Sequence, residues 1–337
     1  MTGYLSDRAL PALRAMLAMQ RHPWEQGTCA QALYEADLPE YWLPMAHEAA
    51  VRRSRDGRLA MLGGGAAVSD PASAGEVCLR AAEQTGDPLC RAGADGMLDY
   101  LLHRAPRTPE GIICHNEISH EPGFTPFQLW IDGAYMVPPF LAVMGCLDEA
   151  ARQLQGYADA LLDPETGVFF HIYDAGGKRF VRRRRWATGN GWALMGIARV
   201  ADAAAAAGRA DLRDTFNALG RRVLDAMLRC QLPDGRFHDI LDDSASFVDG
   251  TSAMMVSAVI FRRVLGGTLP EAYAERAELA YRTVLARMDA IGLIHEVAGC
   301  PDFAHEGTSA EAQAAFLMAD AWRNRLAGKR APLSDGA

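Results

Sequence analysis

A short turn pattern recurs five times along this chain and limits the folds that it can adopt. Each copy places a glycine in a polar turn and follows it with apolar residues, and four copies then contain a histidine. The glycines are Gly57, Gly111, Gly167, Gly235 and Gly292, which lie 54, 56, 68 and 57 residues apart. Glycine suits such turns because it reaches positive φ without steric cost. The spacing indicates one structural unit repeated along the chain.

A second pattern marks six predicted helix starts, each with a polar residue followed by small residues. Its copies are at Glu25, Asp70, Asp132, Asn190, Asp249 and Glu306. Asp and Asn are favoured N-caps. The helices after these caps are apolar nearly all round, as buried helices are. Between them lie amphipathic helices, predicted over residues 6–20, 40–53, 88–103, 148–162, 211–231 and 270–289. Buried and half-exposed helices therefore alternate, six of each.

Six helical hairpins that close into a ring fit this alternation. The sequence predicts an all-α (α/α)6 toroid, or six-hairpin barrel, formed by a single catalytic domain over residues 1–330, with a disordered tail at 331–337. The repeat is too long for a tetratricopeptide array, and an open solenoid fits less well because no repeat has a polar capping face. In a closed toroid the inner helices start at one face, so the caps and the histidine turns would meet there.

Composition excludes several classes of protein. The formal charge of −8 argues against a nucleic-acid or anionic-membrane surface. No apolar run approaches the roughly 18–20 residues of a membrane span, and the N-terminus lacks the pattern of a signal peptide. The seven cysteines are scattered without a C-x-x-C pair, which favours reduced thiols over disulfides or a zinc site. We predict a cytoplasmic protein with no metal or organic cofactor, and the sequence leaves its oligomeric state open.

Asp132 and Asp70 are the candidate catalytic residues. For any one of these acids, capping its helix is at least as good an explanation as a role in catalysis. Asp132, however, follows Trp130 and precedes an apolar helix, so partial desolvation would raise its pKa toward a value useful for general acid catalysis. Asp70 follows a glycine-rich stretch at residues 61–65. Two carboxylates that face one cavity are typical of glycosidic chemistry.

Aromatic and basic residues cluster near the same helix starts. Trp24, Trp130, Trp186 and Trp192 could stack on sugar rings, although core packing is the ordinary role of a buried tryptophan. The arginines at 182–185 would ordinarily form a solvated face, but they lead directly to the predicted site, so one of them could bind a carboxylate. The run 114–121 contains metal-ligand types without the His-Glu-x-x-His spacing.

Several of these segments resemble unsaturated uronyl hydrolases, the six-hairpin enzymes of glycoside hydrolase families 88 and 105. The resemblance is carried by the segments 22–27, 69–70, 79–87, 128–141, 186–192 and 306–314, and it extends over about residues 20–322. It implies an enzyme that removes the 4,5-unsaturated uronic acid left at the non-reducing end of an oligosaccharide by a polysaccharide lyase. No metal or cofactor is implied.

The resemblance also implies roles for individual residues. Asp132 would protonate the C4=C5 enol ether and then activate water, and Asp70 would stabilise positive charge near the ring. His171 matches a histidine of the family's site, and Trp192 matches a stacking aromatic. The other residues that we predict to bind substrate are Trp24, His115, Gln128, Trp130, Trp186, Thr188 and Asn190.

Two positions depart from the pattern of family 105. Thr188 stands where relatives often have an arginine thought to meet the uronate carboxylate, and Asn116 stands where they often have lysine. Either the arginines at 182–185 substitute, or the substrate is not the usual unsaturated galacturonate. Hydrolysis of saturated glucuronides, epimerisation or isomerisation on the same toroid, and carbohydrate binding without catalysis remain alternatives.

Overall fold

The computed structural model describes residues 3–61, 65–117 and 125–330, and these residues are overwhelmingly helical. The predicted tail at 331–337 lies outside the described residues. The helices, in chain order, are α1 (Leu10–Met19), α2 (Pro23–Glu35), α3 (Pro39–Val51), α4 (Gly75–Thr85), α5 (Pro88–His103), α6 (Gly133–Met136), α7 (Pro138–Val143), α8 (Leu147–Leu161), α9 (Ala187–Ala206), α10 (Ala210–Arg229), α11 (Gly250–Leu265), α12 (Tyr273–Leu285) and α13 (Ala310–Arg330). None of the described helices is long and apolar enough to cross a membrane.

The inner helices form a closed ring. Around the ring they follow the order α2, α4, the pair α6 and α7, α9, α11 and α13, and α13 packs in turn against α2. The outer helices α1, α3, α5, α8, α10 and α12 alternate with them along the chain. The prediction of an all-α (α/α)6 toroid is confirmed.

The five turn glycines have the backbone conformation that the sequence predicts. Their φ values lie between 85° and 97°, and each turn packs against the next outer helix. A Cβ atom on Gly57 would lie 2.4 Å from the carbonyl oxygen of Gly96 in α5, and one on Gly292 would lie 2.2 Å from that of Pro11 in α1. The last turn thus contacts the first outer helix, so the repeated contact also closes the ring.

Seven short strands occupy the loops that precede inner helices. They are β1 (Gln128–Trp130), β2 (Ile172–Asp174), β3 (Arg179–Arg182), β4 (Phe237–His238), β5 (Val248–Asp249), β6 (Val297–Ala298) and β7 (Glu306–Gly307). The first three form one antiparallel sheet, in which Ile172 pairs with both Trp130 and Arg182. This sheet places β1 beside the hairpin of β2 and β3, which is distant from it in sequence, and the helical periodicity of the chain does not predict it.

The third inner helix is broken between α6 and α7. Pro138 and Pro139 lack the N–H groups needed to continue the hydrogen-bond ladder, and the break falls at Val137. Two hydrogen bonds connect the short α6 to neighbouring inner helices. The hydroxyl of Tyr135 donates to Gln31 on α2, and Gln31 donates to Glu76 on α4. The residue before α6, Asp132, is thereby fixed at the face where the inner helices start.

Candidate active site

A cavity of about 1120 Å³ opens at the face where the inner helices begin. Of the eleven residues that the sequence places in a site, eight line it: Trp24, Asp70, His115, Trp130, Asp132, His171, Trp186 and Trp192. They come from the first turns of four different inner helices or from the loops before them, so the ring brings together residues from about half the chain.

Two buried carboxyl groups share one histidine at the floor of the cavity. Nδ1 of His115 lies 3.6 Å from Oδ2 of Asp132 and 3.9 Å from Oδ1 of Asp70. The same nitrogen is hydrogen-bonded to Oγ of Ser69 at 2.9 Å. The imidazole can therefore balance charge on either carboxylate, and a proton gained by one acid affects the other.

Asp132 is poised for proton transfer rather than for helix capping. Its side chain makes no capping hydrogen bond to α6, and Oδ1 is buried without a hydrogen-bond partner among the described residues. Burial raises the pKa of Asp132, and His115 opposes the rise. A carboxyl group that lines a cavity, has a raised pKa and keeps one oxygen unpartnered can hold a proton and deliver it.

Asp70 differs from Asp132 in its environment. Burial raises its pKa to about 6, with His115 lowering it, the charge of Asp132 raising it and the hydroxyl of Ser69 lowering it. Ionised Asp70 would lie beside any positive charge that develops in the cavity, and a carboxylate in such surroundings stabilises it strongly. The two acids are thus suited to different tasks.

An aromatic wall rises from this floor. The ring of His115 stacks on Trp130 at 4.4 Å, Trp130 meets His171 edge-on at 5.8 Å, and His171 stacks on Trp186 at 4.4 Å. Burial lowers the pKa of His171 well below its ordinary value, and nearby Arg182 acts in the same direction. Nε2 of His171 is buried without a partner in the described structure, so this neutral imidazole has a nitrogen available for a ligand.

Three predicted substrate-binding residues are not at the cavity surface, and their assignment is corrected. The amide of Asn190 is fully engaged with the backbone of Phe169 and Trp186. The hydroxyl of Thr188 donates to Asp249 at 2.7 Å. Gln128 is buried behind Trp130 and accepts the indole N–H of that residue at 2.8 Å. These polar side chains stabilise the walls of the site. The hydrogen-bond partners that each one meets in the folded chain, rather than its residue type, give it this structural role.

Other members of the repeated patterns also have structural roles. Asp249 is a true N-cap, since its carboxylate accepts from the backbone N–H groups of Thr251 and Ser252. His295 is exposed and pairs with Asp289, away from the cavity. Glu306 is in strand β7, four residues before the last inner helix begins, so it caps nothing.

Two buried carboxyl groups that line the cavity are not among the site residues predicted from the sequence. Asp239 accepts the indole N–H of Trp186 at 3.0 Å, and burial raises its pKa to about 7. Glu311 accepts the indole N–H of Trp24 at 3.2 Å, and burial raises its pKa well above the ordinary value. Asp239 directly follows a turn histidine, and this position could have identified it as a site residue in the sequence. The hydrogen bonds that the two carboxyl groups accept from tryptophans depend on the closed ring.

Basic side chains stand at one rim of the cavity. Arg182, Arg183 and Arg184 line it, and the guanidinium of Arg183 lies over the ring of Phe170 at 4.9 Å. Among the described residues, Arg182 and Arg184 have no hydrogen-bonded acid partner. Arg185 points elsewhere and pairs with Asp163. The rim therefore offers two arginines to an anionic ligand.

The floor of the cavity also has the composition of a possible metal site. Asp70, His115 and Asp132 each present one ligand atom, and these atoms all lie within 4.8 Å of one another. The histidine nitrogen in this set is also the one bonded to Ser69, so a metal ion would have to displace that contact.

A closed ring of six helical hairpins, with buried carboxyls and an aromatic wall at one end, defines a protein of the six-hairpin glycosidase type. The sequence profile of Glycosyl Hydrolase Family 88 matches residues 20–319. The chain belongs to this family.

Similar proteins agree with this assignment. The unsaturated rhamnogalacturonyl hydrolase YesR of Bacillus subtilis is 30% identical over 196 residues, and this match covers 56% of each chain. A possible member of the GH105 family from Klebsiella pneumoniae superimposes with a TM-score of 0.77 at 20% identity, over 90% of this chain and 82% of that one. An unsaturated glucuronyl hydrolase from Bacillus sp. GL1 gives 0.66 at 15% identity, over 88% and 85%. The solved structures establish the fold.

Proposed function

We propose that this protein is a glycoside hydrolase that removes a 4,5-unsaturated uronic acid from the non-reducing end of a lyase-derived oligosaccharide. The observation that carries the proposal is the state of Asp132, a buried acid that lines a large cavity, has one oxygen without a partner among the described residues, and lies beside a histidine that it shares with a second acid. The activities named for YesR and for the glucuronyl hydrolase from Bacillus sp. GL1 support the same reaction class.

The reaction would begin with a proton transfer from Asp132 to C4 of the unsaturated ring. The positive charge that results is shared by C5 and the ring oxygen. Water then attacks C5 and returns its proton to Asp132. The hemiketal formed in this way opens at the bond between C5 and the ring oxygen, which turns C1 into a hemiacetal, and collapse of that hemiacetal releases the neighbouring sugar. Acid and base are then the same residue, restored at the end of the cycle.

Asp70 would stabilise the cationic stage. Its pKa of about 6 leaves it largely ionised at neutral pH, and its carboxyl group lies beside that of Asp132, near the same nitrogen of His115. A fixed negative charge stabilises a developing cation more than solvent does, because it needs no reorganisation.

The uronate carboxylate would bind at the arginine rim. Arg182 and Arg184 line the cavity and form no ion pair with other described residues, and Arg182 is close enough to His171 to influence its pKa. Guanidinium groups bind carboxylates in a bidentate geometry. This rim would replace the arginine that relatives often carry at the position of Thr188, whose side chain here is bonded to Asp249.

A reducing, cytoplasmic location is part of the proposal. All seven cysteines are unpaired, and four of them are buried. Burial raises the pKa of the Cys78 and Cys114 thiols, which keeps them unreactive. A substrate for such an enzyme would be a short oligosaccharide taken into the cell.

The test uses the purified protein and a panel of unsaturated disaccharides made by pectic, glycosaminoglycan and ulvan lyases. Loss of the ultraviolet absorbance of the enol ether reports the reaction. We expect loss with at least one substrate, and we expect Asp132→Asn to reduce the rate by about three orders of magnitude, the size of a general acid contribution.

The control is Glu306→Gln, a change at an exposed residue outside the cavity, which should retain full activity. No loss of absorbance with any substrate would refute the unsaturated-uronate proposal, and saturated glucuronides and epimerisation would then be assayed. Full activity in Asp132→Asn would refute the role of that acid.

A further inference from the structure

Two tryptophan–carboxyl pairs line the cavity, and their tryptophans belong to opposite elements of the ring. Trp186 donates its indole N–H to Asp239 beside the arginine rim, whereas Trp24 donates to Glu311 at the starts of α2 and α13. In each pair the indole fixes one oxygen of the carboxyl group. Only the first pair has arginines next to it, so the two sides of the cavity differ in charge.

The order of the inner helices places Trp24 opposite the arginines. Arg182 and Arg184 precede α9, the fourth inner element, whereas Trp24 and Glu311 belong to α2 and α13, which are neighbours in the closed ring. In a ring of six, the first element stands opposite the fourth. A disaccharide whose uronate carboxylate binds the arginines, with its reactive ring at Asp132, would extend its second sugar toward Trp24 and Glu311.

Glu311 is built into the cavity wall as an uncharged hydrogen-bonding group. Its side chain is only 2% exposed, and the indole of Trp24 is the sole hydrogen-bond partner that the described residues give its carboxyl. Burial raises its pKa well above the ordinary value, and the charges of Glu25, Asp132 and Asp249 act in the same direction. A protonated carboxyl group can donate an O–H to a sugar hydroxyl while its other oxygen accepts from the indole.

Among the described residues, the remaining wall on this side carries no lysine or arginine. It is formed by the loop that contains Asp302 and Phe303, and Asp302 is exposed. Phe303 and Trp24 offer apolar faces of the kind that stack on sugar rings. A sulfate or carboxylate placed here would meet Asp302 and would lack a cation to pair with, and burying an unpaired charge is costly.

From this asymmetry we infer that Trp24, Glu311 and Phe303 form the subsite for the leaving sugar, and that this sugar is uncharged. Glu311 is a specificity-determining residue that donates a hydrogen bond to one of its hydroxyl groups. The inference rests on the proposed function, since it takes the unsaturated uronate to occupy the arginine side.

The experiment compares two unsaturated disaccharides that differ only in whether the leaving sugar carries a sulfate. The wild-type enzyme should have a kcat/KM at least ten-fold higher for the neutral substrate. Glu311→Ala should raise KM for that substrate about ten-fold, the worth of one neutral hydrogen bond with a buried partner, and should leave kcat within three-fold. Glu311→Gln keeps both a donor and an acceptor, so its KM should stay within three-fold of the wild-type value.

Glu306→Gln is the matched control, five residues earlier and exposed, and it should change neither constant. A second measurement is independent of turnover: the free neutral monosaccharide should quench tryptophan fluorescence in the wild type and in Glu311→Gln, and should do so at least ten-fold more weakly in Glu311→Ala. This measurement also shows whether the alanine variant is folded, because its unliganded emission spectrum should match the wild type.

Equal kcat/KM for the neutral and sulfated substrates would overturn the inference, as would an unchanged KM in Glu311→Ala. If no unsaturated disaccharide is hydrolysed, the proposed function fails, and the monosaccharide titration then decides the subsite alone. Quenching that depends on Glu311 would support a neutral-sugar site at this position. Quenching that is absent, or that is the same in Glu311→Ala, would refute it.

Discussion

Oδ2 of Asp132 lies 3.6 Å from Nδ1 of His115, while Oδ1 of the same carboxyl group is buried without a partner among the described residues. One oxygen therefore lies near a neighbouring side chain, and the residue lines the cavity. A second acid, Asp70, lies 3.9 Å from the same histidine nitrogen. This relationship distinguishes Asp132 from the capping aspartate of α11, all of whose carboxylate oxygens are engaged.

The pH dependence of the reaction should follow the two acids. Asp132 must be protonated to act, so kcat/KM should fall as pH rises through its raised pKa. Asp70 must be ionised, so kcat/KM should also fall as pH drops below about 6. The result is a bell-shaped profile whose limbs belong to the coupled pair. His171, with its pKa lowered well below the ordinary value, stays neutral across this range.

A kcat/KM profile measured from pH 4 to 9 checks this prediction, and the residual activity of Asp70→Asn should lack the acid limb. A profile that is flat through pH 6 in the wild type would contradict the role given to Asp70.

Two buried aspartates at equivalent helix starts should respond oppositely to the same substitution. Burial raises the folded-state pKa of Asp70 from 3.8 to about 6, so its ionisation destabilises the fold as pH rises through this window. Asp70→Asn should therefore raise the melting temperature at pH 8 and leave it nearly unchanged at pH 4, while activity falls. Thermal unfolding at both values measures the effect.

Asp249→Asn is the counterpart in that experiment. The carboxylate of Asp249 accepts four hydrogen bonds, from Thr188, Thr251, Ser252 and Ala298. Asparagine has only one acceptor oxygen, so this change should lower the free energy of unfolding by roughly 3 kcal/mol. A melting temperature that moves in the same direction for both variants would contradict the distinction between site acid and cap.

Asn190→Ala should destabilise the protein without acting on substrate binding. The Asn190 amide holds the backbone of Phe169 and Trp186 through three hydrogen bonds, and their loss would leave buried groups unsatisfied at a cost of roughly 3 kcal/mol. Denaturant unfolding gives the stability change, and KM measured well below the melting temperature should stay within three-fold. A large rise in KM with unchanged stability would restore the direct role that the sequence predicted.

The arginine rim should control affinity for the anionic substrate. Arg182→Ala and Arg184→Ala should each raise KM about ten-fold, and the loss should shrink at high salt because exposed charges are screened. Arg179→Ala is the control on the same strand: Arg179 lies 3.6 Å from Asp174 and outside the cavity lining. Steady-state kinetics at low and high ionic strength test this. Equal effects of all three substitutions would argue against a dedicated carboxylate site.

Removal of divalent ions should leave the activity unchanged. Asp70, His115 and Asp132 could in principle share an ion, but the proposed chemistry needs a proton on Asp132, which a bound cation would displace. Dialysis against a chelator, followed by assay with and without added divalent ions, provides the check. Activity that is lost on chelation and restored by an ion would make this cluster a metal centre.

Much of the fold follows from the sequence alone, because its causes are local. Periodicity, cap residues and the turn glycines determine the number of helices and their order, and positive φ at Gly57 and Gly292 follows from the turns that contain them. The even spacing of these units leads to a closed ring. Asp132 and Asp70 could be named because they stand at helix starts that a toroid brings to one face.

The tertiary structure alone decides which polar residues face the cavity. Asp70 and Asp249 occupy similar positions in their repeats, yet only the second is tied up in hydrogen bonds from neighbouring loops. Glu311 becomes a cavity residue because α13 packs beside α2, on which Trp24 lies. Hydrogen-bond pairing and burial depend on atoms contributed by distant segments, and a repeat pattern read along one chain carries no information about these partners.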